Sequence, residues 1–136
     1  MQMFFHMLRT PGEAPKQGRP DIRPENDTQD RESGPENYIL CRQCAQVITS
    51  RHEKMSVNGS HRHTFANPHG IVFEIGCFRT VTGCGYAGSP SDEFSWFPGY
   101  RWRIVVCGMC LTHLGWLFMS AGGNTFHGLI LDRLAE

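Results

Sequence analysis

Two cysteine hooks constrain this chain more than any other feature. Cys41-Arg-Gln-Cys44 and Cys107-Gly-Met-Cys110 stand with 62 residues between them. Each hook can set two sulfurs on one side of a tight turn, with backbone N–H groups facing the thiolates. Together they complete a tetrahedral shell of four sulfurs, the donor set that suits Zn²⁺ at about 2.3 Å per bond. The gap exceeds the roughly 15–20 residues of a simple zinc ribbon, so the metal must tie distant parts of the fold together. Gly108 in the second hook tolerates the left-handed geometry such turns often need. Four thiolates fill the shell, so Cys41, Cys44, Cys107 and Cys110 predict a closed, structural site with no open position for water or substrate. A disulfide or redox use of the hooks is the competing reading.

Charge and length narrow the function classes. Thirteen Lys and Arg balance thirteen Asp and Glu over 136 residues. A nucleic-acid binder would normally carry a basic footprint, so that class is set aside. No apolar run approaches the roughly 18–20 residues of a membrane span. Met1–Leu8 is apolar but too short for a signal peptide, and no small-residue cleavage site follows it. The expected compartment is therefore cytoplasmic and reducing, where the six cysteines read as metal ligands or core thiols before disulfides.

The chain divides at about residue 37. Only eight hydrophobic residues fall in positions 1–37, where Pro11, Pro15, Pro20, Pro24 and Pro35 sit among mixed charges. Such a segment cannot bury enough surface to offset the entropy of ordering and is read as a disordered tail. Residues 38–136 form the folded unit, small enough that a covalent or metal staple is expected. Ala45–Ile48, Ile71–Phe78, Trp102–Val106, Gly115–Met119 and Gly128–Leu131 are short, rich in Val, Ile, Phe and Trp, and bounded by turn residues. No sustained helical stripe appears, though Asp92–Phe94 or Leu129–Leu134 can form a helical turn. The fold class is all-β with many loops.

Several residues need weighing individually. Cys77 reads as a small core residue and Cys84 as a loop thiol, with no activating base nearby in sequence. His61-Arg62-His63 has metal-like spacing but reads as a solvated loop, because four thiolates already satisfy the metal. His113, three residues after Cys110, is assigned a packing role or a hydrogen bond to a thiolate. Asn67-Pro68-His69-Gly70 is a turn on composition. Arg101 and Arg103 alternate with Trp102 and should face solvent. Periodicity alone assigns any single tryptophan to core packing. Three together, Trp96, Trp102 and Trp116, beside the Phe97-Pro98-Gly99-Tyr100 turn and a metal hook, suggest an aromatic box for a cation or a compact neutral ring.

The run Ser91-Asp92-Glu93-Phe94-Ser95-Trp96-Phe97-Pro98-Gly99-Tyr100-Arg101-Trp102, the second hook, and Thr112-His113-Leu114-Gly115-Trp116-Leu117-Phe118 closely resemble the thalidomide-binding (CULT) domain of the cereblon family. Asn67-Pro68-His69-Gly70, the first hook and Phe126-His127-Gly128-Leu129 fit in order, so the likeness covers roughly residues 38–134. It implies a β-tent, two antiparallel sheets pinned by a four-cysteine zinc site. It also implies a pocket walled by Trp96, Trp102 and Trp116 for a cyclic imide or lactam: a glutarimide, a thalidomide-type drug, a uridine-like ring, or a protein ending in a cyclic imide. The backbone of Phe94 and Trp96 would meet the imide edge with the Ser95 side chain nearby. Phe118 would close the cage and Asn67 would sit at its mouth.

The chain also departs from the family. Members with a ubiquitin-ligase role carry His where this chain has Phe94, which spares a backbone contact but not a side-chain one. Only 37 residues precede the domain, so the expectation is a stand-alone, bacterial-type member that binds its ligand without catalysis. Two rivals are a methionine-R-sulfoxide reductase-like enzyme and a reader of methylated ammonium groups. The first needs a nucleophilic cysteine late in the chain, yet none follows Cys110. The other has no evident acid in the motif beyond Asp92 and Glu93.

Overall fold

Strand-forming residues in this chain come in short runs cut by Gly, Pro and Asn, and the architecture follows from that. A computed structural model describes residues 34–136. The expected tail, with Met1–Leu8, lies outside the described residues up to residue 33. Pro35–Asn37 makes one 3-10 turn that leads into β1.

Two antiparallel sheets account for the strands. The smaller has the order β2-β1-β9, built from β1 (Tyr38–Cys41), β2 (Val47–Ser50) and β9 (Leu134–Ala135). The larger has the order β3-β4-β8-β7-β6-β5. Its strands are β3 (Arg62–Ala66), β4 (Val72–Phe78), β5 (Cys84–Ser91), β6 (Tyr100–Cys107), β7 (His113–Ser120) and β8 (Thr125–Ile130). The all-β, two-sheet expectation holds, and a 3-10 turn at Leu131–Arg133 falls within the expected Leu129–Leu134 window.

Side chains alternate across the large sheet, so its two faces carry different cores. Trp102 pairs with Phe118, Ile104 with Trp116, and Phe118 with Phe126. These residues, with Phe73, Ile75, Cys77 and Phe97, bury one face. On the other face Val105, Leu114, Leu129 and Phe78 pack with Ile39 and Ile48 of the small sheet. The apolar walls of the two sheets thus meet on the side that also holds Cys41 and Cys107.

Several boundaries differ from expectation for physical reasons. The strand expected at Ala45–Ile48 begins at Val47, because Ala45 sits in the left-handed region (φ 67°) at the end of the first hook. Arg62–Ala66 is strand β3, not a solvated loop. His63 stacks on Phe65 (5.8 Å) and meets Phe97 edge-on (5.2 Å), while His61 packs edge-on against Phe78 (5.2 Å). The ring nitrogens of both histidines lie against the backbone carbonyls of Met55, Val57 and Ser60. Cys84 is likewise no loop thiol: it opens β5, is buried, and pairs in register with Cys107. Asp92–Phe94 forms no helical turn; Phe94 takes φ 54° within a tight loop.

Close approach between β7 and β8 depends on glycine. A Cβ on Gly115 would run into the Gly128 carbonyl oxygen, and one on Gly128 would meet the Phe118 ring at 2.9 Å. Gly115→Ala is expected to cost at least about 3 kcal/mol, because backbone rather than a flexible side chain must move. Denaturant unfolding measures it, and a loss within the noise would contradict the packing described.

His127, buried on the opposite face, accepts or donates through Nε2 to the Tyr86 hydroxyl (2.9 Å). Burial pushes its imidazole down to about 4, against a weaker opposing pull from the Arg79 backbone. The folded state resists protonation that the unfolded chain accepts below about 6.5. This contribution is complete above that pH and lost as pH falls toward 4. The difference between pH 7 and pH 5 should be about 2 kcal/mol, and His127→Gln should flatten the slope of stability against pH.

Candidate functional site

The two hooks are built alike. In each, the first cysteine closes a strand, β1 or β6, and the residue after the last cysteine turns left-handed: Ala45 (φ 67°) and Leu111 (φ 65°). Ala45 N–H donates to the Cys41 carbonyl (2.8 Å) and Leu111 N–H to that of Cys107 (2.9 Å). Gly108 does not supply the left-handed position expected of it. Its N–H donates to the Gly83 carbonyl (2.8 Å), and a Cβ there would meet the same oxygen at 2.9 Å, so glycine is needed for close approach.

The four sulfurs of Cys41, Cys44, Cys107 and Cys110 lie within 4.8 Å of one another. Cys41 and Cys110 are 3.7 Å apart and Cys44 and Cys107 3.5 Å. A tetrahedral shell with bonds of about 2.3 Å would space sulfurs about 3.8 Å apart. The cluster therefore fits a metal ion held by sulfur alone. Met109 N–H donates to the Cys107 sulfur (3.4 Å) and the Thr112 hydroxyl lies 3.0 Å from that of Cys110. Sequence reasoning missed Thr112, which nothing marks apart from its place two residues beyond the hook.

Burial pushes the Cys41 thiol up and the Cys107 thiol up to about 12. For Cys110, burial also pushes upward, but the Thr112 hydroxyl and N–H and the neighbouring thiols hold it at about 7. Packed thiols that resist ionisation need a cation to become thiolates together, and binding one releases their protons. Among the described residues no other cluster could hold a metal. Elemental analysis should find one metal ion per chain. Chelation should lower the unfolding midpoint by more than about 10 °C.

On the other face of the large sheet the tryptophans join one aromatic cluster. Trp96, in the loop between β5 and β6, meets Trp116 edge-on (4.8 Å) and stacks on Phe65 (4.9 Å). Phe73 stands edge-on to Trp116 (5.4 Å). Trp102 and Trp116 lie on adjacent strands, diagonal to one another on the same face. The indole of Trp102 donates to the Glu93 carbonyl (2.8 Å) and that of Trp96 to the Ala66 carbonyl (3.2 Å). Trp102 thereby fastens the loop that carries Phe94.

The remaining expected residues fall as follows. Phe94 is exposed (56%) and left-handed, a sparsely populated state for a bulky residue. The Ser95 hydroxyl is turned to its own loop, donating to the Phe97 carbonyl (3.2 Å) and facing the Phe97 N–H (3.4 Å). Phe118 lies in the core against Phe97 (4.9 Å) and Phe126 (5.1 Å). Asn67 is buried, and its Oδ1 accepts from the N–H groups of His69 and Ile71 (both 2.9 Å). His113 takes the packing role, edge-on to Trp116 (4.8 Å) with Nε2 against the Gly115 carbonyl (3.0 Å). Arg101 is exposed, and Arg103 reaches across β5 to the Gly88 carbonyl (2.8 Å). Phe65, Phe73 and Phe97 complete the cluster; only Phe73 lay in an expected strand.

Comparison with known proteins decides the family question. No protein-family model matches the chain. The chain is 37% identical to protein cereblon of Drosophila melanogaster over 93 residues, covering 65% of this chain and 16% of that protein. It is 36% identical to protein cereblon of Drosophila simulans over 102 residues, covering 69% and 17%. Against that of Drosophila persimilis it is 34% identical over 101 residues, covering 69% and 16%. This chain carries a cereblon-type domain. It spans about one-sixth of the length of these relatives, so the cereblon-type likeness is of a domain. No helix among the described residues is long and apolar enough to cross a membrane.

Proposed function

We propose that this cereblon-type domain binds a small, uncharged cyclic imide or lactam among Trp96, Trp102 and Trp116, and that the metal at its four cysteines is a structural Zn²⁺. The loop between β5 and β6 carries the reading. Trp102 anchors it, Phe94 is held left-handed in it, and the backbone N–H groups of Phe94 and Trp96 make no hydrogen bond among the described residues. Unmet donors beside an indole cluster suit a ring whose aliphatic edge wants desolvation and whose imide edge wants partners.

Magnitudes set the expected affinity. Burying about 150 Å² of apolar surface contributes on the order of 4 kcal/mol. Two or three hydrogen bonds add roughly 1 kcal/mol each. Association entropy takes back several kcal/mol, which leaves a weak affinity, about millimolar. A uridine-like ring or a chain-terminal cyclic imide presents the same edge and belongs to the same class.

Binding without catalysis, in a reducing cytoplasm, is part of the proposal. A sulfoxide-reducing site would need a reactive thiolate outside the metal cluster. The two candidates are buried; burial pushes Cys77 up to about 12 and, with the neighbouring Cys107 and Cys41, pushes Cys84 higher still. A sulfur-filled metal shell leaves no open position for chemistry either.

Titration of the protein with glutarimide, read by tryptophan quenching, tests the reading. Trp102→Ala should weaken binding by at least about 10-fold through loss of ring contact and of the loop anchor, with the metal still bound. Affinity unchanged in that variant would overturn the cage.

A further inference from the structure

The turn that leads into β3 carries an Asn-Gly pair at its tip. Val57 N–H donates to the Ser60 carbonyl (2.9 Å) and Ser60 N–H to that of Val57 (3.2 Å), so Asn58 and Gly59 make up a two-residue loop. Both take left-handed backbone, at φ 53° and φ 89°, the conformation such a loop needs and one these residue types tolerate. Both are exposed.

The same pair has a covalent chemistry of its own. The backbone nitrogen of the residue after an asparagine can attack the side-chain amide carbon, and the attack is fastest where that residue has no side chain in the way. The described asparagines are Asn37, Asn58, Asn67 and Asn124. Tyr38 and Thr125 follow the first and last of these with bulky or branched side chains, and Pro68 after Asn67 has no N–H to give up. Among the described residues only Asn58 precedes a glycine. Neither its side chain nor the Gly59 N–H is hydrogen-bonded among the described residues. A Cβ on Gly59 would meet nothing within 4 Å, so the tip has open space in which to rotate.

What the turn holds gives a change there its consequence. The Val57 and Ser60 carbonyls each lie 3.0 Å from His63 Nε2. His63 stacks on Phe65 and meets Phe97 edge-on, and Phe65 stacks on Trp96. Val57 itself packs against this aromatic cluster. A two-residue loop closed by two backbone bonds has no slack for another main-chain atom.

We propose that Asn58 is a self-modification site whose conversion to isoaspartate releases the His63 anchor behind Trp96. The Gly59 nitrogen bonds to Asn58 Cγ, its proton goes to the departing amide, and ammonia leaves a five-membered imide. Water then opens that ring, so no oxidant, metal or cofactor enters the balance. Opening at Cγ restores the main chain as aspartate. Opening at the backbone carbonyl routes the main chain through Cβ and Cγ as isoaspartate, with one more atom in the loop. Both turn bonds then lose their register, and His63 loses the two carbonyls that fix it.

Ageing the full chain in mildly alkaline, heavy-oxygen water tests this by peptide mass spectrometry. The peptide holding Asn58 should gain the difference between an amide and a carboxyl, with heavy oxygen taken up, while those holding Asn37, Asn67 and Asn124 stay unchanged. Fragmentation of the Asn58 peptide should find isoaspartate. The isoaspartyl fraction, separated by ion exchange, should unfold about 5 °C lower and show shifted His63 ring resonances. Asn58→Gly keeps a left-handed turn and removes the amide. It should gain no mass at this turn and hold its unfolding midpoint through the same ageing. Conversion in the denatured chain but not in the folded one would overturn the site, since the turn would then be shielding it. Isoaspartate formed with the midpoint and His63 resonances unmoved would overturn the release.

Discussion

The tightest constraint on this molecule is the gathering of four sulfurs from two sheets into one cluster. Cys41 ends β1 in the small sheet, and Cys107 ends β6 in the large one. A three-stranded sheet of two- and four-residue strands has little stability alone. Its apolar face, Ile39 and Ile48, finds cover in the core that Phe78, Val105, Leu114 and Leu129 of the large sheet provide. Bringing the hooks together at sulfur–sulfur distances of 3.5–3.7 Å sets that contact in one register. The chain between the hooks is long, so a metal closing it would remove much freedom from the unfolded state.

The clamp reaches the aromatic face through one short stretch. Thr112 touches the Cys110 sulfur, and the next residue, His113, packs edge-on to Trp116. Arg133 adds a brace: its guanidinium donates to the His113 carbonyl (2.8 Å) and lies over the Phe73 ring (5.9 Å), which itself stands against Trp116. The side chain of Leu114 goes to one core and that of Trp116 to the other. Over a few residues the chain passes from the cysteine cluster to the indole wall. Gly115 and Gly128 let β7 and β8 approach closely enough for Phe118 to floor that wall.

What could be read in advance followed from chemistry with a strict spacing requirement. Two Cys-x-x-Cys hooks admit few other uses, and the strands rich in Val, Ile and Trp declare themselves by composition. The edges of the large sheet did not. β3 reads Arg-His-Thr-Phe-Ala and β5 reads Cys-Gly-Tyr-Ala-Gly-Ser-Pro-Ser. The former hides two inward rings among polar residues, and the latter has the composition of a turn. Tertiary contacts with Phe97 and Cys107 decide both, and no local pattern contains them. Gly108 was marked for the wrong reason: a carbonyl from Gly83, distant in sequence, fixes its identity.

Asn67 carries the same lesson toward function. Composition makes it a turn residue, and it is one, since its oxygen closes the loop back on His69 and Ile71. Its burial and the idle nitrogen opposite that oxygen appear only when β3 and β4 fold it against the aromatic cluster. A core built for stability alone would favour rings without polar atoms, or give every indole an acceptor as Trp96 and Trp102 have. Trp116 breaks that rule at the centre of the cluster, and Phe94 breaks the backbone rule in the loop beside it. Departures from self-consistency gathered at one place are where a folded chain has been shaped for something other than its own stability.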